Sequence, residues 1–570
     1  IVEENKGIYT DVQGNFDFRQ LQPGRYSLLF SFVGYQQGSM PSVEVSNGKE
    51  ALLTLQLVES PIQIQEITIT AETDKSRASN ELSFVSGRQF SVQESNKFAG
   101  GYSDPSRMAM SFAGVTSSGN DDNNEIIIRG NSPKGLLWRL EGIEIPNPNH
   151  FGDGQGSTSG IISMINSSSL ANSDFFTGAF PSEYGNALSG VFDLKFRRGN
   201  DQKHEFKALI GVVGLEMASE GPISASGASY RINARYSTLE LLFKTGLVKI
   251  ETDGFKPAFR DYNFTFHFPT KKTGKFTLWG IGGENFSDSD YNTFKDRDEN
   301  NVTSTGLSHQ LPIKNIGYIN TVIAFSTQSH QYFRENLMNN VWINTYDETH
   351  KEQAVRYSTY FNHRLSSQWK MRTGFILSRL GFELNEDVWN SSQKKTINWL
   401  NENGHTFSVQ GYSQVKYTPN NKWQFSAGIH SMHFGLNKKT TVEPRLGFEL
   451  KTGKKTSITG GFGIHSRLEP ISLYLYKRQV KPGQFVQPYK NLSPSMARHS
   501  VIGLNKNTSG HSRWVIEAYH QKLYEIPIDT NRKSFYSILN ASAGIPGAIL
   551  TNKGIGKNIG LEFTLEQFLH

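Results

Sequence analysis

The 570-residue chain contains no cysteine, so it carries no disulfide and no thiolate metal site. It lacks any uninterrupted apolar run of about 18 residues, which excludes a membrane-crossing helix. Charge of one sign is scarce too. With 59 Lys and Arg against 52 Asp and Glu, the net charge is +7. It is spread along the chain without a long basic block, so nucleic-acid binding has no electrostatic footprint. Catalytic signatures are missing: there is no His-Glu-x-x-His, no Gly-x-Ser-x-Gly and no P-loop. Gly554-Ile555-Gly556-Lys557-Asn558-Ile559-Gly560 is one residue off a dinucleotide fingerprint and precedes a strand instead of opening a helix. The 15 histidines are scattered without metal-ligand spacing. The loop 119–125 offers oxygen donors for calcium but not the EF-hand order, and a solvated loop is the simpler reading. No enzyme, cofactor or metal is expected. A leader is also absent. The chain opens on Ile1-Val2-Glu3-Glu4 and closes on Phe563-Thr564-Leu565-Glu566-Gln567-Phe568-Leu569-His570, as if within a strand. A fragment missing both ends is expected, and the missing leader does not count against export.

What the chain has is aromatic residues, 12% of the total, with 38 Phe and 22 Tyr. A mean hydropathy of −0.47 suits a soluble protein, but equally a membrane β-barrel, whose apolar face occupies only alternate residues. Residues 201–570 carry that alternation. Tyr262-Asn263-Phe264-Thr265-Phe266-His267-Phe268 and Trp423-Gln424-Phe425-Ser426-Ala427-Gly428-Ile429-His430 interleave apolar and polar side chains. Short turns are expected at 269–274, 366–368, 419–422 and 452–455, often followed by an aromatic (Phe276, Trp369, Trp423) that suits an interfacial girdle. Long polar segments at 283–312, 382–405, 466–498 and 525–557 are expected to be loops on the other side. The region has room for roughly 14–16 strands.

Upstream, 1–57 reads as short strands between turns. Phe16, Phe18, Tyr26, Leu28, Phe30 and Phe32 alternate with polar or small residues, Gln22-Pro23-Gly24 turns the chain, and 51–57 is a last strand. The pattern resembles the carboxypeptidase-regulatory-like β-sandwich. Between 76 and 200 lie two further stretches. The apolar run Ile126-Ile127-Ile128 ends in Arg129-Gly130-Asn131, and Trp138-Arg139-Leu140 ends in Glu141-Gly142-Ile143-Glu144. Gly178-Ala179-Phe180-Pro181-Ser182-Glu183-Tyr184-Gly185 and Gly190-Val191-Phe192-Asp193 follow. In this order they resemble the plug domain of TonB-dependent outer-membrane receptors, specifically the Bacteroidetes type that places a carboxypeptidase-regulatory-like module before the plug. Weaker likenesses lie at Glu443-Pro444-Arg445, Asn491-Leu492-Ser493-Pro494 and Gly560-Leu561-Glu562-Phe563.

The resemblance implies a mainly β fold in four parts. These are a small β-sandwich (1–57, N-terminus missing), a linker (58–75), an α/β plug (76–200) and a large antiparallel transmembrane β-barrel of the 22-stranded type (201–570, incomplete). It implies a TonB box at Glu66, Ile67, Thr68, Ile69, Thr70 and Ala71, where an extended segment could add to a partner sheet edge; a last sandwich strand over 62–70 stays open. The plug core would comprise Arg129, Gly130, Glu141, Gly142, Glu183, Tyr184, Gly185 and Gly190, its charges pairing across the barrel wall. Arg129 would lock to Glu443 and Glu562. The Gly/Ser-rich stretch between Gly152 and Ser169 is expected to be an open loop, too flexible and polar for a core. Solute contacts would come from Asn147, Asn149, His150, Phe151 and Asp153 on the plug loop there, and from Trp389, Trp399, Tyr474, Tyr476 and Tyr489. The implied partners are the TonB C-terminal domain with its inner-membrane motor, outer-membrane lipids, and a small solute, chelate, oligosaccharide or peptide. A capping surface lipoprotein is left open, and no nucleic acid is expected. The implied place is a Gram-negative outer membrane with 1–75 periplasmic, and the implied function is active import. A binding or assembly component on the same barrel, or a soluble β-rich adhesin, are the alternatives.

Overall fold

A period-two strand puts successive side chains on opposite faces, so its burial pattern tells which face meets solvent or lipid. In the computed structural model, Asn263, Thr265 and His267 of the strand Lys256–Pro269 are buried, whereas Tyr262 and Phe268 are exposed. In Trp423–Phe434, Gln424, Ser426 and His430 are buried and Phe425 and Ile429 exposed. The polar face points inward and the apolar face outward, the inverse of a water-soluble sheet and the pattern of a barrel in lipid. The structure describes 78–90, 104–117, 123–152, 159–211, 214–244, 256–314, 316–453, 455–481, 484–509, 512–540 and 548–567, with most of 1–45 and alternate residues of 51–57. The TonB-box residues 66–71 and Asp153 lie outside the described residues.

Sixteen antiparallel strands form the large sheet, from Glu205–Ile210 to Leu550–Gln567, each paired with its neighbour in that order. This is the upper end of the count expected from sequence. One small hairpin, Arg478–Lys481 with Gln484–Val486, interrupts the series as a separate sheet. The short turns fall where expected, between Pro269 and Lys275, Arg364 and Trp369, Tyr417 and Trp423, and Gly453 and Thr456. Beside them Trp369 stacks on Tyr417 at 4.1 Å between ring centroids.

The long polar segments differ from expectation. Two of them are strand almost to the tip: Lys275–Asp290 pairs with Phe294–Ile313, and Trp369–Asn390 with Lys395–Tyr417. A bilayer needs only about 9–11 residues of strand. Strands of 20–24 residues therefore run well beyond it, and polar residues on both faces there gave a loop-like composition. The other two segments fold back as the helix Ile471–Leu475, the small hairpin, and a 3-10 turn at Ile538–Asn540.

Inside the barrel sits a mixed five-stranded sheet in the order Gly87–Phe90, Ser173–Phe176, Gly190–Leu194, Leu136–Leu140, Ile143–Glu144. Gly190–Leu194 and Leu136–Leu140 run parallel and every residue in both is buried. Trp138 stacks on Phe192 at 4.3 Å, and Phe175 lies 4.4 Å from the same ring. Inward apolar residues of the barrel, Trp279, Ile281, Val302, Val322 and Ala324, join this core. The Gly/Ser-rich stretch behaves otherwise than expected in its described part. Ser163, Met164 and Ile165 are buried, and Ile162–Ser163 pairs with Asn149–His150. Its apolar tail, Ile161 to Ile165, decides its place, not the glycines before it.

At the N-terminus Gly24–Phe30 pairs with Gly38–Val45 over a core of Tyr26, Leu28 and Val43. Phe16, Phe18 and Leu53 pack against that core without belonging to a strand. The strand expected at 51–57 is not formed by its described residues.

The outward alternation predicts a lipid-facing Ile429. Ile429→Arg should destabilise the barrel by about 2–4 kcal/mol if it lies near the bilayer midplane, measured by denaturant unfolding in lipid vesicles; an unchanged midpoint would contradict the inward-polar assignment of this strand.

Candidate functional site

The turn after Ile126–Ile128 holds the residue on which the plug is seated. Arg129 (φ 52°) and Gly130 (φ 73°) are both left-handed, and the Asn131 amide donates to the Ile128 carbonyl at 2.9 Å. Two successive left-handed residues make a type I′ turn, which favours glycine at its second position. The tight reversal projects the Arg129 side chain out of the plug, into the barrel wall.

There it meets two carboxylates. The Arg129 guanidinium donates from Nε and Nη2 to Glu562 at 2.8 Å each, and from Nη2 to Glu517 at 2.8 Å. Glu517 and Glu562 face each other across one rung of the ladder between Ser512–Asp529 and Leu550–Gln567. Nη1 donates to Ser86 Oγ at 3.0 Å, and the guanidinium lies 4.5 Å above the Tyr519 ring. The Arg129 side chain is 0% exposed. The forked guanidinium matches such a carboxylate pair, giving charge-assisted bonds of the strong class.

Glu443, expected as the other member of this contact, lies elsewhere. It stands on Lys439–Gly453, in sheet order four strands from Leu550–Gln567. It accepts from Arg445 at 2.8 Å and Thr441 at 3.0 Å, and bonds Ser466. Arg445 in turn donates to the carbonyls of Phe180 and Pro181. Among the described residues, Glu443 thus reaches the plug through Arg445, because barrel curvature separates it from the Arg129 turn.

The segment around Glu183 forms a second seat. Glu183 pairs with Arg372 of the barrel at 2.5 Å, lies 3.6 Å from Arg139, and bonds Asn80. The Ser182 amide donates to Gln414 at 2.7 Å, and His430 Nδ1 lies 2.9 Å from the Ser182 carbonyl. Gly185 is packed so close to the wall that a Cβ there would clash with Gln410 and His430. Tyr184 turns inward and donates to Asp193 at 2.8 Å. Glu141 does not cross to the barrel. It accepts from the Phe196 amide at 2.7 Å, and burial pushes its carboxyl up to about 7.

The expected solute contacts divide. Asn147 lines a cavity of about 220 Å³ between the plug and the inner wall, with Lys134, Glu144, His330, His350 and Arg467. Asn149 and His150 are buried; His150 Nε2 lies 2.9 Å from Asp261, itself bonded to Arg235. His150 is 0% exposed and presents no surface to a solute. The Phe151 amide donates to Asn285 at 3.0 Å. Tyr474, Tyr476 and Tyr489 form an apolar cluster with Phe434 and Leu188, with Tyr476 and Tyr489 stacked at 5.7 Å. Trp399 packs on that cluster, while Trp389 stands near a hairpin tip opposite Thr396. These tyrosines bind the folded-back connections to the plug, and Ile471, Ile538 and Leu539 of those connections roof the cavity. Arg445 was marked only by the Glu443-Pro444-Arg445 likeness, with no contact assigned to it. Arg372, Glu517 and Gln521, which accepts from Asn131 at 2.5 Å, were missed from the sequence. Their only mark is an inward place in an alternating strand, shared by dozens of residues.

A mixed plug sheet enclosed by a long antiparallel barrel sheet, apolar outside and polar inside, is the fold of TonB-dependent outer-membrane receptors. Residues 1–69 match the CarboxypepD_reg-like domain family. Among solved structures, the outer membrane transporter YddB from Escherichia coli superposes with TM-score 0.61 at 12% identity, over 85% of this chain and 74% of that one. The siderophore receptor PirA from Acinetobacter baumannii gives 0.60 at 13% identity, over 88% and 79%. The copper transporter OprC gives 0.61 at 10% identity, over 87% and 77%. No curated protein matches the chain. At this level of identity the likeness is one of fold.

Two outcomes follow from the seat. Arg129→Ala leaves Glu517 and Glu562 buried without their cation and should cost about 3–5 kcal/mol, seen as faster hydrogen exchange in the plug with the barrel strands protected. A raised carboxyl favours the folded state while protonated, so plug stability should fall as pH rises from about 4.5 to about 7. Glu141→Gln should flatten that slope in a pH series of plug exchange rates.

Proposed function

We propose that the protein imports a small extracellular solute across a Gram-negative outer membrane through its plugged barrel, driven by TonB. The carrying observation is the seat itself. The plug is held by a ring of polar contacts, Arg129 to Glu517 and Glu562, Glu183 to Arg372, and the 180–182 carbonyls to Arg445 and His430. Polar contacts can be exchanged for water when the plug moves, at less cost than the apolar contacts that the plug also makes with Trp279 and its neighbours. In this reading the Arg129 contact is the lock. The cavity beside Asn147 receives the solute, and the stretch 1–75 stands in the periplasm. The domains divide at 1–57, 58–75, 76–200 and 201–570. The protein is a transporter, not an enzyme.

The solute class is a siderophore, another chelate, an oligosaccharide or a peptide. The similar structures include a siderophore receptor and a copper transporter, which supports a metal chelate first. TonB engages 66–71 by strand addition to its sheet edge. The domain match runs through residue 69 and so overlaps this box, which makes direct contact the quantity to measure.

The absence of native cysteine makes that measurement clean. In outer membranes, Ile67→Cys should form a disulfide with a cysteine on the edge strand of the TonB C-terminal domain, and solute should increase the yield. No crosslink from a correctly folded barrel would defeat the energised reading and favour a passive binding or assembly role on the same fold.

A further inference from the structure

Three neighbouring strands, Gly317–Met338, Val341–Arg364 and Trp369–Asn390, carry an unusual group on their inward faces. Glu348 stands directly opposite Glu386 across one rung, and His330 directly opposite His350 across a neighbouring one. All four are buried. Like charges facing each other across a ladder repel, and burial strengthens the repulsion.

Among the described residues, two facing carboxylate pairs of the barrel wall have both members buried. At Glu517 and Glu562 the plug supplies a guanidinium between the carboxylates. At Glu348 and Glu386 the Tyr346 hydroxyl lies 2.7 Å from one and 2.9 Å from the other. One hydroxyl carries one hydrogen and no charge, so it bridges the pair without neutralising it. His330 Nδ1 stands 3.0 Å from Glu348, and its Nε2 3.3 Å from a third carboxylate, Asp298. His350 Nδ1 lies 3.4 Å from Glu348. Among the described residues no Arg or Lys forms an ion pair with Glu386.

We propose that Glu348, His350 and Glu386 bind one divalent transition cation on the inner wall of the barrel. One donor atom from each lies within 4.8 Å of the others, a spread that a shared ion could close. Two buried donor atoms, His350 Nε2 and Glu386 Oε2, have no hydrogen-bond partner among the described residues. Buried polar atoms are nearly always paired, and a bound ion is one of the few reasons they are not. His350 and His330 also line the cavity beside Asn147, which gives an ion a way in.

The donor set selects the ion. One imidazole and two carboxylates suit zinc, cobalt and their neighbours. Calcium and magnesium favour oxygen ligands throughout. Monovalent copper favours thiolate or thioether, and none of the three donors is sulfur. His330, hydrogen-bonded to Glu348, holds that carboxylate in orientation. The site needs only the folded barrel, so it stands whether or not TonB drives import.

The test uses the full-length protein, purified in detergent and stripped with a chelator. Titration with Zn²⁺ should show one ion bound per chain, and Co²⁺ should give visible ligand-field bands that excess Ca²⁺ does not remove. His350→Ala and Glu386→Gln should each weaken Zn²⁺ binding about tenfold or more, with heat-modifiable migration reporting an intact barrel. His433→Ala, whose ring lies against Thr440 outside the group, should leave affinity unchanged. Absence of stoichiometric binding in the wild-type protein overturns the proposal, even if a variant fails to fold. So does equal affinity in the wild-type protein and both variants.

Discussion

Two carboxylates share one rung of the barrel wall, and a buried arginine from the plug stands between them. Glu517 and Glu562 would repel in isolation, and Arg129 would be a costly unpaired charge without them. Neither the barrel nor the plug is electrostatically complete alone here. The same dependence recurs round the interface. Arg372 needs Glu183, Asp261 is held by Arg235 and His150, and Arg445 takes up carbonyls at 180 and 181.

This follows from how a wide barrel is built. With lipid outside, alternation forces polar side chains inward, and a lumen of this width cannot be filled by them alone. A second body must supply partners for those groups. The plug does so with an apolar core around Trp138, Phe175 and Phe192 that also packs on Trp279 and Val322 of the wall, and with polar contacts elsewhere on its rim. Where the rim is polar, its contacts can be exchanged for water, which suits the plug movement proposed above. The Glu348–Glu386 rung presents the same problem, and among the described residues no arginine or lysine pairs with Glu386 there.

Much of the molecule was legible in sequence because its rules are local. The period-two pattern of 262–268 and 423–430 gave both strand and orientation. The dipeptides Arg129-Gly130 and Glu141-Gly142 marked turns that place left-handed backbone at both positions. Where composition stood in for pattern, the reading failed. Polar hairpin ends at 283–312 and 382–405 looked like loops because they stand beyond the bilayer, with both faces wet. The Gly/Ser stretch looked like an open loop because its apolar tail was outweighed by its glycines.

The candidate site divides in the same way. That Arg129 carries a charge at a turn inside a plug was readable from its neighbours in the chain. That its partners are Glu562 and Glu517, and not Glu443, was not, because these residues are 433, 388 and 314 positions away and their nearness depends on strand register and barrel curvature. His150 and the tyrosines at 474 and 489 looked available for binding, and packing against other segments encloses them. The sequence by itself determined the alternation, the turns and the order of the parts, since each depends on residues within a few positions. Only the tertiary structure decided which charges meet, because ion pairing inside a barrel depends on which rungs the closing sheet brings face to face.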